Sequence, residues 1–250
     1  AMFVDATQYH SSATSLPLSI KIKNHSYGYS APFIESQAER DAASFSAASG
    51  TIHLFAAGNE RGKAGQDSNK QDVQGSPDII AVAALGQDGK YASYSSFGAN
   101  VVVTAPSSGI SGYGITTTDR LAGGGYNRNV NSSDGDAFPD RDYTSTFGGT
   151  SSATPLASGV MALVKQVQPA LDVRFAKQLL ARCSQKVDPN DATYTGGGDG
   201  STPGSAWKTN AAGLAFNANY GFGLIDAQAL TQQAVLYSGV TPLQTESTGT

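Results

Sequence analysis

Three short, largely apolar runs constrain the fold of this chain more than any other feature of its sequence. They span residues 51–57, 78–85 and 100–106. A continuous apolar run of this length is typical of a strand that is buried on both faces. A strand with one solvent-exposed face would alternate apolar with polar residues. The runs therefore predict a largely parallel sheet that is covered by helices on both sides.

Helical patterns lie before and after these strands. Residues 33–48 predict a helix with Glu and Arg side chains on one face. The opposite, apolar face is expected to consist of Ile34, Ala38, Ala42 and Phe45. Two more helices are predicted at residues 151–168 and 172–187, the second beginning at an Asp172 cap. This succession of strands and helices indicates an α/β domain.

Other segments give weaker signals. Residues 1–13 carry a weak helical pattern, and the alternation of apolar with polar residues over 18–23 predicts a half-buried strand. Residues 107–148 are rich in Gly, Ser and Asn, and no regular element is predicted there.

The distribution of charge argues against several classes of partner. The chain carries 16 Lys and Arg against 20 Asp and Glu, a net charge of −4, without blocks of like charge. Nucleic acids and anionic membranes bind clustered cations, so neither is predicted as a partner. No apolar stretch approaches the roughly 20 residues of a membrane span. The first six residues lack the basic and apolar regions of a signal peptide, so none is predicted in this chain.

The strongest chemical signal is a glycine-rich segment, residues 149–159. It delivers Ser151 to the start of a long apolar helix, where free N–H groups and the helix dipole favour negative charge. A serine that merely caps a helix is the simpler interpretation of Gly-Thr-Ser alone. The eleven residues together resemble the active-site serine block of the subtilisin-like proteases (subtilases). The resemblance implies that Ser151 is the nucleophile and that Gly149 and Thr150 contact the substrate.

A second block, residues 55–59, ends the first buried strand with an asparagine, 92 residues before Ser151. Ligands of parallel α/β domains bind at the carboxyl ends of the strands. A turn formed by Gly-Asn is the ordinary interpretation of this block alone, but its place before the serine block fits the order in subtilases. The resemblance implies that Asn59 is the oxyanion-hole asparagine. It also implies substrate contacts from Ala56, Ala57 and Gly58.

Further segments are similar to the same family. Residues 24–28 resemble the strand edge that pairs with the substrate backbone, which implies substrate binding by Ser26, Tyr27 and Gly28. Residues 91–106 resemble the stretch between the two blocks above, and residues 220–227 resemble the kexin-like branch. The resemblance covers about residues 3–236.

The family resemblance also implies a fold and a domain organisation. We expect a three-layer subtilase-type α/β fold with a mostly parallel sheet and with its N-terminal part missing. Residues 1–238 would form a partial catalytic domain, and residues 239–250 would form a tail or linker.

The catalytic Asp and His blocks of the family have no counterpart in this sequence. Of the three histidines, His10, His25 and His53, none lies in a His-Gly-Thr context or follows an Asp-x-Gly block. A serine nucleophile needs an adjacent base, and that base needs an orienting carboxylate. One prediction is therefore a serine endopeptidase whose Asp and His lie on a segment absent from this chain, supplied as a separate chain or lost from this one. The alternative is a non-catalytic module that binds peptides or acts as a scaffold.

An unrelated α/β-hydrolase is excluded, because no Gly-x-Ser-x-Gly elbow is present.

Calcium is the structural cofactor that the resemblance implies, while catalysis by a subtilase needs none. One loop contains four aspartates, Asp134, Asp136, Asp140 and Asp142. Hard cations such as calcium favour clusters of oxygen ligands of this kind. Their spacing is not that of an EF-hand, and a solvated acidic loop is the alternative. Asp67 and Asp72 lie near the place where kexin-like enzymes hold a calcium ion. A polypeptide substrate and a secreted or periplasmic location are also expected of a subtilase.

Overall fold

The computed structural model describes residues 2–11, 19–109, 113–128, 136, 138–191 and 207–241. The α-helices within these ranges are α1 (Met2–Gln8), α2 (Gln37–Ala48), α3 (Thr150–Val167), α4 (Val173–Cys183) and α5 (Ala227–Ala234). The strands are β1 (Ile22–His25), β2 (Ile52–Ala56), β3 (Ile79–Leu85), β4 (Val101–Pro106), β5 (Ile115–Thr118), β6 (Tyr143–Phe147), β7 (Lys208–Thr209) and β8 (Ala215–Phe216). None of the described helices is long and apolar enough to cross a membrane.

The predicted parallel sheet is confirmed. Strands β1 to β4 are all parallel and lie side by side in chain order. In this register Leu54 in the middle of β2 is paired with Asn24 on one side and with Ile80 on the other. Every residue of β2 and β3 is buried, which explains why both strands read as continuous apolar runs.

Successive residues of the strands point to two opposite helical layers. Leu54, Ile80 and Val103 belong to the larger core, which α3, α4 and α5 cover. On the opposite face, Phe55 and Ile79 pack in a smaller core with side chains that include Ala43 of α2. The α/β class and the predicted layers of helices on both faces of the sheet are therefore confirmed.

Helix α2 differs from its prediction in both its start and its buried face. It begins at Gln37 rather than at residue 33, and Phe33 is exposed in the left-handed region with a φ of 59°. Of the predicted apolar face, only Ala42 is buried, while Ile34, Ala38 and Phe45 are exposed. The residues that are buried instead are Glu39, Ala42, Ala43, Ser46 and Ala47. The reason is that this face meets α1 and buried polar side chains of the sheet, so small and polar residues pack there.

The segment over residues 107–148 does contain regular structure, contrary to the prediction. β5 and β6 form an antiparallel pair of their own. Their sequences are rich in Thr, which suits strands, but they show no alternation of apolar with polar residues. The pair matters for the site because β6 ends at Phe147 and leads directly into Gly148 and α3.

The other helices lie close to their predicted positions. α3 begins one residue earlier than expected, and α4 begins as predicted after Asp172, whose Oδ1 accepts a hydrogen bond of 2.7 Å from the Phe175 N–H. α4 ends at Cys183 rather than near residue 187, because Gln185 then forms a backbone bridge with Leu224.

Candidate active site

The ends of two neighbouring parallel strands and the start of α3 meet at one small cavity. β1 continues into residues 26–28, and β2 continues into residues 57–59. The cavity has a volume of about 140 Å³. The site residues predicted from the sequence that line it are Ser26, Tyr27, Gly28, Ala56, Ala57, Gly58, Asn59, Thr150 and Ser151. Segments that are far apart in the sequence thus contribute to one concave surface.

Gly149 is the predicted site residue that does not line this cavity. It precedes α3 with a φ of 78°, a conformation that favours glycine. A Cβ atom at this position would lie 3.1 Å from the Nδ2 atom of Asn59. Gly149 therefore allows the loop to pass close to the Asn59 amide.

The amide of Asn59 is oriented by Thr150. Its Oδ1 atom accepts hydrogen bonds from the Thr150 N–H at 2.8 Å and from the Thr150 hydroxyl at 3.0 Å. The same hydroxyl accepts a bond from the Gly58 N–H at 3.2 Å. Because the oxygen of the amide is engaged by two donors, its NH₂ group is left to donate to an oxygen of a ligand in the cavity.

Ser151 is the second residue of α3, where the helix dipole and unpaired N–H groups favour negative charge. Its Oγ lies 3.5 Å from the carbonyl oxygen of Ser26, and the Ser26 hydroxyl donates to the Ser151 carbonyl at 3.0 Å. Among the described residues, Ser26 is the hydrogen-bond partner of the Ser151 hydroxyl. These contacts fix the serine against the end of β1 but provide no proton acceptor of the imidazole type.

Two of the three histidines lie in the protein interior rather than beside Ser151. His53 is fully buried and His25 is 6% exposed, and both lie on the sheet face that meets α2. Burial lowers the pKa of His53 to about 4. Burial, with a contribution from His53 and Lys23, lowers the pKa of His25 to about 3. The third, His10, is stacked edge-on against Tyr9 after the end of α1.

Several residues of the cavity were not predicted from the sequence. They are Tyr29, Ser30, Glu60, Gly65, Gln71 and Gln74. Glu60 could have been found from its position next to Asn59. Gln71 and Gln74 come from the loop between β2 and β3, and nothing in their local sequence marks them. Gln74 is buried and contacts Gly28 closely, since a Cβ atom on Gly28 would lie 2.7 Å from its Nε2.

The candidate calcium ligands are engaged in other contacts where they are described. Asp72 forms an ion pair with Arg40 and accepts a hydrogen bond from the Ser36 N–H. Asp67 accepts a hydrogen bond of 3.0 Å from the Asn69 N–H and caps a short 3₁₀ turn. Both carboxylates are thus engaged by groups of this chain.

The described aspartates of the later loop also accept hydrogen bonds from this chain, Asp140 from the Asp142 N–H and Asp142 from the Ala122 N–H. Asp134 lies outside the described residues. The Asp136 carboxylate accepts hydrogen bonds from the hydroxyls and N–H groups of Thr144, Ser145 and Phe138. Desolvation opposes ionisation of Asp136, but these hydrogen bonds outweigh it and lower its pKa. Within the described ranges, no group of three or more His, Cys, Asp or Glu could hold a metal ion, so the described acidic side chains do not fit a calcium site.

The chain is similar in sequence to several proteases. It is 38% identical over 186 residues to an extracellular serine protease of Aeromonas sobria, and the aligned residues make up 66% of this chain and 29% of that protein. It is 30% identical over 195 residues to Protease KEX1 of Kluyveromyces lactis, which covers 78% of this chain and 21% of that protein. A calcium-dependent protease of Trichormus variabilis is 37% identical over 153 residues, 60% of this chain and 22% of that protein. The chain thus spans less than a third of the length of these relatives.

Comparison with solved structures and with family models agrees with these sequence matches. The structure of the Aeromonas sobria serine protease superposes with a TM-score of 0.74 at 29% identity, covering 89% of this chain and 44% of that one. The model of the subtilase family, Peptidase S8, matches residues 3–223. The parallel sheet, its helical layers and the extent of the match lead to one conclusion. The chain belongs to the subtilase family.

Proposed function

We propose that this chain is part of a serine endopeptidase in which Ser151 is the nucleophile and Asn59 stabilises the oxyanion. The observation that carries the proposal is the Asn59 amide, whose oxygen is held by Thr150 while its NH₂ group is left for a ligand in the cavity that Ser151 also lines. A peptide carbonyl bound there would have a nucleophile and a hydrogen-bond donor next to it.

The chemistry follows from these roles. Ser151 Oγ attacks the carbonyl carbon of the substrate, and its proton passes to a base. The negative charge that develops on the carbonyl oxygen is stabilised by the Asn59 NH₂ group and by the start of α3. Residues 26–28, which continue β1, bind the extended substrate backbone by adding it as a strand. The peptide C–N bond then breaks, the leaving amine takes the proton from the base, and the acyl group stays on Ser151 as an ester. A water molecule, deprotonated by the same base, attacks this ester, releases the carboxylic acid product and restores the Ser151 hydroxyl.

The base is supplied by a segment outside this chain, together with the aspartate that orients it. This part of the proposal is supported by the positions of the histidines, since His25 and His53 are engaged in the interior. It is also supported by length, because the chain covers only 44% of the solved Aeromonas sobria protease. We call this chain together with a segment that carries the Asp and His blocks, joined or added in trans, the reconstituted enzyme.

An exposed apolar stripe on α3 is consistent with a missing segment. Leu156, Leu163 and Val167 follow each other at helical spacing and are 38%, 51% and 42% exposed. β1, at the end of the sheet, pairs only with β2 among the described strands. An uncovered helix face beside an uncovered strand edge favours association with another segment. We therefore propose that the segment with the Asp and His blocks covers this face.

Location and calcium are proposed from the relatives alone. The Aeromonas sobria protease is extracellular, which supports a secreted or periplasmic location for this protein. The Trichormus variabilis relative is calcium-dependent, which supports a structural calcium ion in the whole enzyme.

Reconstitution tests the proposal. The 250-residue chain alone should show at most trace cleavage of peptide substrates. The reconstituted enzyme should cleave them and should be labelled by a fluorophosphonate, and Ser151→Ala should abolish both. Activity of the chain alone that survives Ser151→Ala would refute the mechanism. If the correctly folded reconstituted forms bind peptides without cleaving them, the non-catalytic binding module is the better description.

A further inference from the structure

The loop that delivers Ser151 is held by hydroxyl groups that do not line the cavity. Tyr94 precedes β4, Ser107 and Ser108 follow the end of β4, and Ser152 lies in the first turn of α3. The Tyr94 Oη lies 2.8 Å from the Oγ atoms of both Ser107 and Ser108. It also lies 2.9 Å from the Ser108 carbonyl oxygen, to which it can donate. We call these four residues the hydroxyl cluster.

This cluster binds both polar groups of the Gly149 backbone. The Gly149 N–H donates to the Tyr94 Oη at 3.1 Å. The Gly149 carbonyl oxygen accepts from the hydroxyl of Ser107 at 2.7 Å and from that of Ser152 at 3.1 Å. Gly149 has no side chain and takes a left-handed conformation, so these hydrogen bonds fix the direction of its backbone groups.

The direction of the Gly149 carbonyl, which Tyr94 contacts through the Ser107 hydroxyl, determines the direction of the group that binds Asn59. The Gly149 carbonyl and the Thr150 N–H belong to one planar peptide unit, so they turn together. In the observed orientation the carbonyl meets the Ser107 hydroxyl while the Thr150 N–H meets the Asn59 Oδ1. A rotation of this unit would weaken both contacts at once and would release the Asn59 amide.

We infer that Tyr94 is a positioning residue that, through its hydroxyl, holds the Gly149 backbone and thereby orients the Asn59 amide for oxyanion binding. The effect on catalysis rests on the proposed function, whereas the part of the inference that concerns the Gly149 backbone does not. Phenylalanine at position 94 would keep the ring and remove the acceptor of the Gly149 N–H. A donor left without a partner is costly, so the loop would turn to find another one.

The expected kinetic effect is specific. Orientation of the oxyanion donor matters more in the transition state than in the bound substrate, so its loss lowers kcat and leaves KM nearly unchanged. Tyr94→Phe in the reconstituted enzyme should lower kcat by about tenfold and change KM by less than about twofold. Ser107→Ala should give a similar loss. The double variant should lose less than the product of the two, because both hydroxyls hold one backbone segment.

A second measurement does not depend on catalysis. Amide hydrogen exchange of Gly149 should be faster by about tenfold or more in Tyr94→Phe, while the Ile80 amide in β3 serves as the internal reference. Tyr237→Phe is the matched control, because Tyr237 is 41% exposed and its hydroxyl makes no hydrogen bond among the described residues. That variant should change neither the kinetics nor the exchange of Gly149.

The outcomes separate the inference from the proposed function. If the reconstituted enzyme shows no Ser151-dependent cleavage, the proposed function fails, and the exchange of Gly149 still decides the role of Tyr94. Unchanged Gly149 exchange in Tyr94→Phe would overturn the inference. A Tyr94→Phe enzyme that melts at a lower temperature but keeps the wild-type kcat would also overturn it, because that is an effect on stability alone. A Tyr94→Phe enzyme with only a higher KM would overturn it too, because that indicates a substrate contact.

Discussion

The Nε2 atom of His25 lies 2.9 Å from the Nδ1 atom of His53, and both rings are buried between the sheet and α2. The His53 Nε2 lies 2.7 Å from the Ser46 hydroxyl, which is hydrogen-bonded to the hydroxyl of Ser11. Ser11 in turn accepts a bond from the Lys23 ammonium at 3.0 Å. If each of these hydrogen bonds contains one hydrogen, its donors and acceptors are all paired when both imidazoles are neutral. The charge of the neighbouring Lys23 opposes the binding of a further proton.

This buried pair predicts a stability that falls in acid. The pKa values of about 3 for His25 and about 4 for His53 lie below the 6.5 of an exposed histidine. Below pH 6.5 the unfolded chain therefore binds protons that the folded chain does not, so the free energy of unfolding decreases as pH falls from 6.5 towards 4. Each imidazole contributes about 1.4 kcal/mol per pH unit in that window, so we expect a loss of about 2 to 4 kcal/mol between pH 6.5 and 5.

Urea unfolding at pH 7, 6 and 5 measures this effect. His53→Gln should flatten the decrease, because it removes one of the two buried imidazoles. His10→Gln is the control and should keep the wild-type profile, since the His10 ring lies outside the buried pair and makes an edge contact with Tyr9. A free energy of unfolding that stays constant from pH 7 to 5 in the wild-type chain would contradict the prediction.

The Thr150 hydroxyl should matter for catalysis because it is one of the two donors that hold the Asn59 oxygen. Thr150 is fully buried, and Thr150→Val keeps its shape while removing that donor. In the reconstituted enzyme we expect kcat to fall by about tenfold. Asn59→Ala, which removes the oxyanion donor itself, should lower kcat by about 10²–10³.

Thr150→Ser is the matched control, since it keeps the hydroxyl and should retain most of the activity. Steady-state kinetics on a peptide substrate distinguish these variants. A Thr150→Val enzyme with wild-type kcat would show that the Thr150 N–H alone orients the amide.

Two glycines of the serine block should respond in opposite ways to alanine. Gly149 has a φ of 78° and lies against the Asn59 amide, so Gly149→Ala strains the backbone and crowds the oxyanion donor. We expect a loss of stability of about 1 kcal/mol or more. Gly159 lies inside α3 with open space around its Cβ position, so Gly159→Ala should stabilise the chain by about 0.5–1 kcal/mol.

Urea unfolding of both variants of the chain tests this pair. Equal effects of the same sign would mean that the conformation of the Gly149 loop is not the one described. Activity of the reconstituted Gly149→Ala enzyme should also fall, because the strain acts next to Asn59.

The parts of this structure that the sequence predicts are those in which burial is mostly apolar. β2, β3 and β4 are predicted closely because each is buried and most of its side chains are apolar, with His53 and Thr104 as the polar exceptions. The buried face of α2 is mispredicted because its neighbours are polar, so that Ser46 is buried and Phe45 is exposed. A hydrophobic pattern contains no information about which polar groups will find partners.

The candidate site divides in a similar way. Asn59 and Ser151 were predicted to come together because both lie in blocks with a family resemblance, and both line the cavity. Tyr94, Gln71 and Gln74 were not predicted as site residues, because their contacts depend on how loops return to the sheet. The side chains around Gly149 come from three separate segments, and only the folded chain brings them together.

The exposed stripe on α3 leads to the last prediction. If the segment with the Asp and His blocks covers Leu156, Leu163 and Val167, a charge at the centre of that stripe should oppose its association. Leu163 is 51% exposed in this chain, so Leu163→Glu should leave the fold of the chain intact. A carboxylate buried without a partner is strongly unfavourable, so the affinity for a segment added in trans should fall by at least about tenfold.

Leu121→Glu is the control, because Leu121 is 77% exposed in a 3₁₀ turn of another part of the chain. Titration of the segment against each variant, followed by fluorophosphonate labelling of Ser151, measures the affinity. Equal affinities for wild type and Leu163→Glu would show that the segment binds elsewhere, and labelling at saturation should be the same in all three chains, because Ser151 itself is unchanged.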